Sequence, residues 1–254
     1  MTDLIQRVKG ALYFVPLIIG TLLDQPYLNL VVGILQAFMC FELAKILAPA
    51  SAKMRLYAVV FFVTALIPYL SVYNAISYGM VGALILLITI YLGWMYDSFR
   101  ALFAGFVLLC LASLSALSLY DNAVVIVVSL ALIITACDVT AYFVGRLIGG
   151  PKLAPAISPG KTISGAMGGL LGAALVGAAL VPYLAISLQD ALGAAIIIGI
   201  FAQAGDLYES AFKRRVGIKD SSQLIPGHGG FLDRFDGYIF VAPLMLILFG
   251  IGAI

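Results

Sequence analysis

Apolar residues in this chain come in runs of about twenty, broken by short polar connections, and that alternation predicts helices that cross a lipid bilayer. Nine runs can be read, at about 10–24, 28–46, 56–73, 76–96, 101–120, 122–144, 164–184, 189–209 and 237–254. The first is short and follows Arg7 and Lys9. No small-x-small cleavage site comes after it, so it reads as a helix rather than a signal peptide, with a re-entrant or interfacial segment as the alternative. There is no internal repeat and no low-complexity tail, so residues 1–254 form one polytopic membrane domain. Only two polar connections are long enough to hold chemistry, 145–163 and 210–236.

Composition agrees with the pattern. At 254 residues, 63% hydrophobic and a mean hydropathy of +1.14, the chain has more apolar surface than a soluble core can bury. The expected fold class is an all-α integral membrane protein of about nine transmembrane helices. Cys40, Cys110 and Cys137 lie inside apolar runs without paired or metal-ligand spacing and read as inert buried thiols. All fourteen Lys and Arg residues fall at the N-terminus or in the even-numbered connections, and the odd ones hold none. By the positive-inside rule, the N-terminus and the even connections are cytoplasmic and the C-terminus is outside.

Charge concentrates in Ser210 to Asp236, which holds five of the fourteen Lys/Arg, three of the twelve Asp/Glu and the one histidine, His228. Such density beside a bilayer is costly unless it meets something charged, and phosphate with a divalent metal is the obvious candidate. Asp206, Glu209, Ser210 and Lys213 share one helical face. Asp206 lies in an apolar run, where it is either functional or a structural ion pair with Lys213 or Arg214. Gly217, Pro226, Gly227, Gly229 and Gly230 break the helix into a tight loop in which backbone amides can approach phosphate. Asp233 and Asp236 then stand three apart at the start of the last run, either as helix-dipole partners or as metal ligands. With Asp220 and Asp206 they make four carboxylates at one cytoplasmic mouth, the hard oxygen donors that Mg²⁺ takes beside substrate phosphates. His228 is a general base, a phosphate hydrogen-bond donor or a structural loop residue; an anionic phosphate nucleophile needs no base, which favours the donor.

The second connection and its flanks read DVTAYFVGRLIGGPKLAPAISPGKTISGAMGG, residues 138–169. Asp138, Tyr142, Gly145 and Arg146 share a helical face, with Asp138 about ten residues, or roughly 15 Å, from the helix end. Ser158, Lys161 and Thr162 precede the next helix, where a helix start and a lysine suit an anion. A Walker loop is excluded, since its leading glycine, its spacing and a preceding strand are all missing. Gly165, Gly168, Gly169 and Gly172 form a small-residue stripe that predicts close helix packing. Glu42 and Lys45 read as an intrahelical pair without a catalytic role.

Both stretches resemble the phosphatidate cytidylyltransferases (CDP-diacylglycerol synthases). That family's signature, S-x-x-K-R, four residues, K-D, then P-x-H-G-G-x-x-D-R-x-D, is met without a gap by Ser210, Lys213, Arg214, Lys219, Asp220, Pro226, His228, Gly229, Gly230, Asp233, Arg234 and Asp236. The 138–169 stretch is similar to the family's D-x-x-A-Y-x-x-G-[RK] and S-P-x-K-[ST] pattern, although Ser164 stands where many members carry Glu. The resemblance implies attack of the phosphate of phosphatidic acid on the α-phosphorus of CTP, leaving CDP-diacylglycerol in the membrane and releasing pyrophosphate. It implies a site formed by 138–169 and 206–236, with Lys219, Asp220, His228, Arg234 and Asp236 catalytic. Asp138, Tyr142, Arg146, Ser158, Lys161, Thr162, Ser210, Lys213 and Arg214 would bind substrate. Mg²⁺ is the expected cofactor, with Asp206 and Asp233 as its principal ligands. The expected location is the cell (inner) membrane with the site on the cytoplasmic side. Membrane lipid is the surrounding partner, nucleic acid is not called for, and a homodimer stays open. The rivals are a CTP-dependent polyprenol or phytol kinase, against which the full signature argues, and a transporter of a phosphorylated solute, which no inverted repeat supports.

Overall fold

A computed structural model of the chain describes residues 27–47, 98–117, 123–225 and 229–250. The runs expected at 10–24, 56–73 and 76–96 lie outside these residues, as do Pro226, Gly227 and His228. The described chain is mostly helical: α1 (Tyr27–Leu47), α2 (Ser98–Leu117), α3 (Ala123–Ile148), β1 (Lys152–Ala154), β2 (Ser158–Thr162), α4 (Ile163–Leu184), α5 (Leu188–Arg215) and α6 (Leu232–Gly250). Each of the six runs expected over these residues is a helix.

Among the described residues, α3, α4 and α5 are long and apolar enough to cross a membrane, yet only 39%, 28% and 33% of their most apolar windows are buried. The remaining apolar surface, including Leu147, Met167, Leu171 and Leu175, is exposed. Helices that are apolar on every side and half uncovered belong in lipid.

The chain divides into two compact units, Met1–Val124 with Asp220–Phe235, and Val125–Lys219 with Asp236–Ile254. In the first, Leu28, Val32, Leu35, Met39 and Leu43 of α1 recur at helical spacing and are buried, as are Phe103, Val107 and Leu111 of α2. The Gln36 side-chain amide donates to the Leu111 carbonyl at 2.8 Å and ties the two helices.

In the second unit the glycine stripe of α4 lies against α3. A Cβ on Gly165 would fall 2.7 Å from the Ala141 carbonyl oxygen, one on Gly168 within 2.7 Å of Val144, and one on Gly169 2.9 Å from the Cys137 carbonyl oxygen. These glycines thus have the packing role expected of them. Further along α4, Gly177 meets Ala195 and Ala191 of α5. The Phe240 ring of α6 covers Gly205 and stands edge-on to Tyr208, both on α5.

One element departs from an all-α reading. Gly149 (φ +67°) and Gly150 (φ +99°) stop α3, and the chain returns as the antiparallel hairpin β1–β2, with Lys152 opposite Thr162 and Ala154 opposite Ser158. Strands of three and five residues, the second containing Pro and Gly, carry no alternation to read. The hairpin closes at its base where the Ile163 amide donates to the Pro151 carbonyl at 3.0 Å and the Ser164 hydroxyl donates to the Gly149 carbonyl.

Candidate functional site

Between the end of α3, the hairpin and the facing sides of α4 and α5 lies a cavity of about 610 Å³. Helix α3 contributes Asp138, Tyr142 and Arg146, at the four-residue spacing that keeps them on one face. The hairpin contributes Lys152, Ser158, Lys161 and Thr162, and α5 contributes Gln203 and Asp206. The six residues singled out within 138–169 therefore line one space, together with Asp206. Seven further positions around it are Gly or Ala, so much of the wall is main chain.

Several of these polar groups are held from behind. Thr162 caps α4, its hydroxyl accepting from the Gly165 amide at 3.1 Å. This fixes where β2 becomes helix and so where Lys161 starts. Arg146 donates to the Tyr142 hydroxyl at 2.8 Å, one turn back on the same helix. Gln203 donates to the Ala166 carbonyl at 3.1 Å and bridges α5 to α4.

The Lys161 ammonium forms an ion pair with Oδ2 of Asp206, while Oδ1 accepts from the Ser210 hydroxyl at 3.3 Å. Sequence spacing had offered Lys213 or Arg214 as the partner of Asp206. The structure corrects this: Lys161, 45 residues away, crosses from the hairpin, and Lys213 pairs with Glu209 at 2.6 Å. Arg214 donates to the Ile218 carbonyl at 3.3 Å. Helix α5 ends there in a Schellman arrangement, Ile218 N to Lys213 O and Gly217 N to Arg214 O, with Gly217 at φ +77°. Asp236, in the first turns of α6, lies in the electrostatic field of Asp206, Glu209 and Lys213.

The signature is divided between the units: Asp220–Phe235 belongs to the first, where Asp220 and Arg234 are exposed, and Lys219, exposed as well, belongs to the second. Asp233 accepts from the Ser221 amide at 3.0 and 2.9 Å through its two oxygens, and from the Gly230 amide at 2.8 Å, buckling the loop onto the start of α6. Gly229 (φ +83°) and Ile225 form the bridge at the loop's neck.

Glu42 is where the sequence reading was wrong. It is not an intrahelical partner of Lys45 but fully buried, with both carboxylate oxygens bonded to the loop. Its partners lie 179 to 190 residues away, beyond any local spacing rule. Gln203 was also passed over, although a lone amide in the run IIIGIFAQAGDLYES was a signal.

The donor chemistry fits Mg²⁺. Asp206 presents a hard carboxylate at the cavity, ion-paired to Lys161, and lies within electrostatic reach of Asp236. Among the described residues no group of three or more potential metal ligands is assembled. Mg²⁺ characteristically takes one or two carboxylates and completes its shell with water and substrate phosphates, which is compatible with such a partial set.

Comparison with known proteins gives the family. Residues 5–251 match the model of the Cytidylyltransferase family, nearly the whole chain. The chain belongs to that family. Within it, the chain is similar to the phosphatidate cytidylyltransferase of Staphylococcus aureus (strain COL), 46% identical over 119 residues, which is 46% of this chain and 46% of that protein. The proteins of the same name from Staphylococcus haemolyticus (strain JCSC1435) and Staphylococcus epidermidis (strain ATCC 35984) are each 48% identical over 119 residues, again 46% of each chain. The matched stretch thus spans just under half the length of these curated relatives.

Proposed function

We propose that this cytidylyltransferase family member transfers the cytidylyl group of CTP to phosphatidic acid, forming CDP-diacylglycerol and pyrophosphate. The observation that carries the reading is the cavity in which Asp138, Arg146, Lys161, Thr162 and Asp206 come together, within a family whose similar members are named for this reaction. Its volume lies in the range of about 300–1,000 Å³ usual for small-molecule sites.

The chemistry follows from the charges. A phosphate oxygen of the lipid attacks the α-phosphorus of CTP, the bond to the β-phosphate oxygen breaks, and pyrophosphate departs with the electron pair. The nucleophile is already an anion, so the protein's task is to bring anions together in line and neutralise them. Lys161 and Arg146 supply positive charge at the cavity, and the amides at the start of α4 add partial positive charge beside Lys161. Asp206 holds the Lys161 ammonium in place before substrate arrives. In the signature, Lys219, Asp220, Arg234 and Asp236 serve the same reaction, with His228 as a phosphate hydrogen-bond donor. Asp206 and Asp233 are the carboxylates proposed to hold Mg²⁺, which would neutralise the triphosphate when bound.

The membrane setting supports the reading, because the product stays in lipid. The arrangement proposed is nine spans in the inner membrane, the N-terminus and the catalytic stretches cytoplasmic and the C-terminus outside, as the fourteen-to-none charge asymmetry favours. The test uses purified protein, phosphatidic acid and CTP labelled at either the α- or the γ-phosphorus. Lipid-borne α-label with free pyrophosphate is expected. Lipid-borne γ-label would make the protein a kinase, and no label in any lipid would remove the transferase reading.

A further inference from the structure

The loop that leads from Asp220 to the start of α6 is drawn together from within by Asp233, which accepts from the Ser221 and Gly230 amides. From outside it is held by a side chain of α1. Oε2 of Glu42 accepts from the Ser221 hydroxyl at 3.1 Å and the Leu232 amide at 2.7 Å. Oε1 accepts from the Ser222 hydroxyl at 2.5 Å and the Phe231 amide at 2.9 Å. Two donors belong to the outgoing limb of the loop and two to the returning limb, so one carboxylate ties both ends of the segment between them. One turn earlier on α1, Phe38 stacks on Phe231 with ring centroids 4.7 Å apart and planes 12° from parallel. Gly230 makes room for the clamp, since a Cβ there would fall 2.6 Å from both Glu42 oxygens.

Four donors on two oxygens match an ionised carboxylate, which only accepts. Burying that charge is costly and is offset only by these four donors, two of them main-chain amides that an apolar residue on α1 would leave unsatisfied. The position thus holds a costly group whose whole hydrogen-bonding capacity is directed at the signature. We infer that Glu42 is a positioning residue that locks limbs 221–222 and 231–232 together, so that Asp220, Asp233 and Arg234 keep one relative geometry for phosphate chemistry. The clamp rests on the hydrogen bonds alone; that it serves cytidylyl transfer rests on the function proposed above.

The informative substitution is Glu42→Gln. Whichever way the amide is turned, its NH₂ faces either the Phe231 or the Leu232 N–H, donor against donor. Glu42→Asp keeps the charge one methylene short, and the double variant Ser221→Ala/Ser222→Ala removes one limb's donors while the carboxylate stays capped by Phe231 and Leu232. Amide exchange by mass spectrometry over 221–232, with 150–162 as control, is measured beside KM for CTP and kcat. For Glu42→Gln and for the double variant, exchange over 221–232 is expected to quicken about tenfold or more with the control unchanged. KM for CTP should rise by about tenfold, with Glu42→Asp between wild type and Glu42→Gln. A merely structural role would lower the folded fraction, and with it the apparent kcat, while leaving KM alone. Exchange and KM within about twofold of wild type, or exchange quickened equally in the control, would overturn the clamp. If Glu42→Gln does not fold, the double serine variant decides. Failure of the wild type to make CDP-diacylglycerol while Glu42→Gln still loosens 221–232 would remove the proposed reaction and leave the clamp standing.

Discussion

Replacing Lys161 by Ala separates what the cavity does for stability from what it does for substrate. The Lys161–Asp206 pair keeps 30% and 34% side-chain exposure, so it is screened and contributes about 1 kcal/mol or less. In Lys161→Ala, Asp206 retains the Ser210 hydroxyl and its partial solvation, so no charge is stranded in the interior. At about 2–4 °C per kcal/mol for a chain of this size, Tm should fall by no more than a few degrees. A substrate phosphate, by contrast, loses a charge-assisted hydrogen bond worth about 1.5–3 kcal/mol. That corresponds to about ten- to a hundredfold in kcat/KM, expressed mainly in KM if the contact exists before the chemical step. The assay is incorporation of α-labelled CTP into lipid at fixed Mg²⁺, with detergent-phase melting as control and Lys161→Arg as the charge-conserving comparison. A kcat/KM within about threefold of wild type would show that Lys161 closes the hairpin onto α5 and does nothing for substrate.

Asp206→Asn and Asp233→Asn should each abolish CTP-dependent turnover across a Mg²⁺ or Mn²⁺ titration while the protein stays folded. Near-normal activity at low metal in either variant would mean that Asp220 or Asp236 holds the metal. Gly165→Ala should cost about 1–3 kcal/mol, because its Cβ would meet the Ala141 carbonyl oxygen and the Gly145 Cα, backbone atoms that cannot rotate away. Gly193→Ala, with nothing within 4 Å, should be neutral or slightly stabilising by melting temperature, and an equal loss in both variants would refute the packing argument. A cysteine introduced at Lys152 should react with an impermeant label only from the cytoplasmic side; reaction from outside would invert the topology.

The described helices were legible because nearly every residue in a span obeys one rule, and Gly217 marked the end of α5, whereas α3 runs past its expected end at 144 to Ile148 and stops at Gly149. The face of α3 that carries Asp138, Tyr142 and Arg146 was legible for the same reason, since helical spacing alone puts them together. What the sequence hid was tertiary choice. Asp206 has two cations within eight residues, and its own helix suggested Lys213 or Arg214. The ion pair went to Lys161, because the hairpin brings that ammonium across to α5 while Glu209, one turn before Lys213, takes the nearer charge. Glu42 was hidden more deeply, as the four donors that define it are supplied by a loop 179 to 190 residues away.

The contact of α3 with α4 through glycine also bears on how the cavity's selectivity can change. Where Gly145 and Gly165 form the wall, the surface is closely packed peptide backbone, which has no alternative rotamers and leaves no room for a side chain. A larger residue at Gly145 or Gly165 would not trim the cavity but push two helices apart. An engineer wishing to alter which ligand is accepted is therefore turned to the rest of the lining, where Lys152, Leu153 and Gln203 present exchangeable side chains and a Cβ at Gly160 would meet open space. On that surface specificity can drift by single substitutions, while the glycine side keeps the enclosure's dimensions fixed.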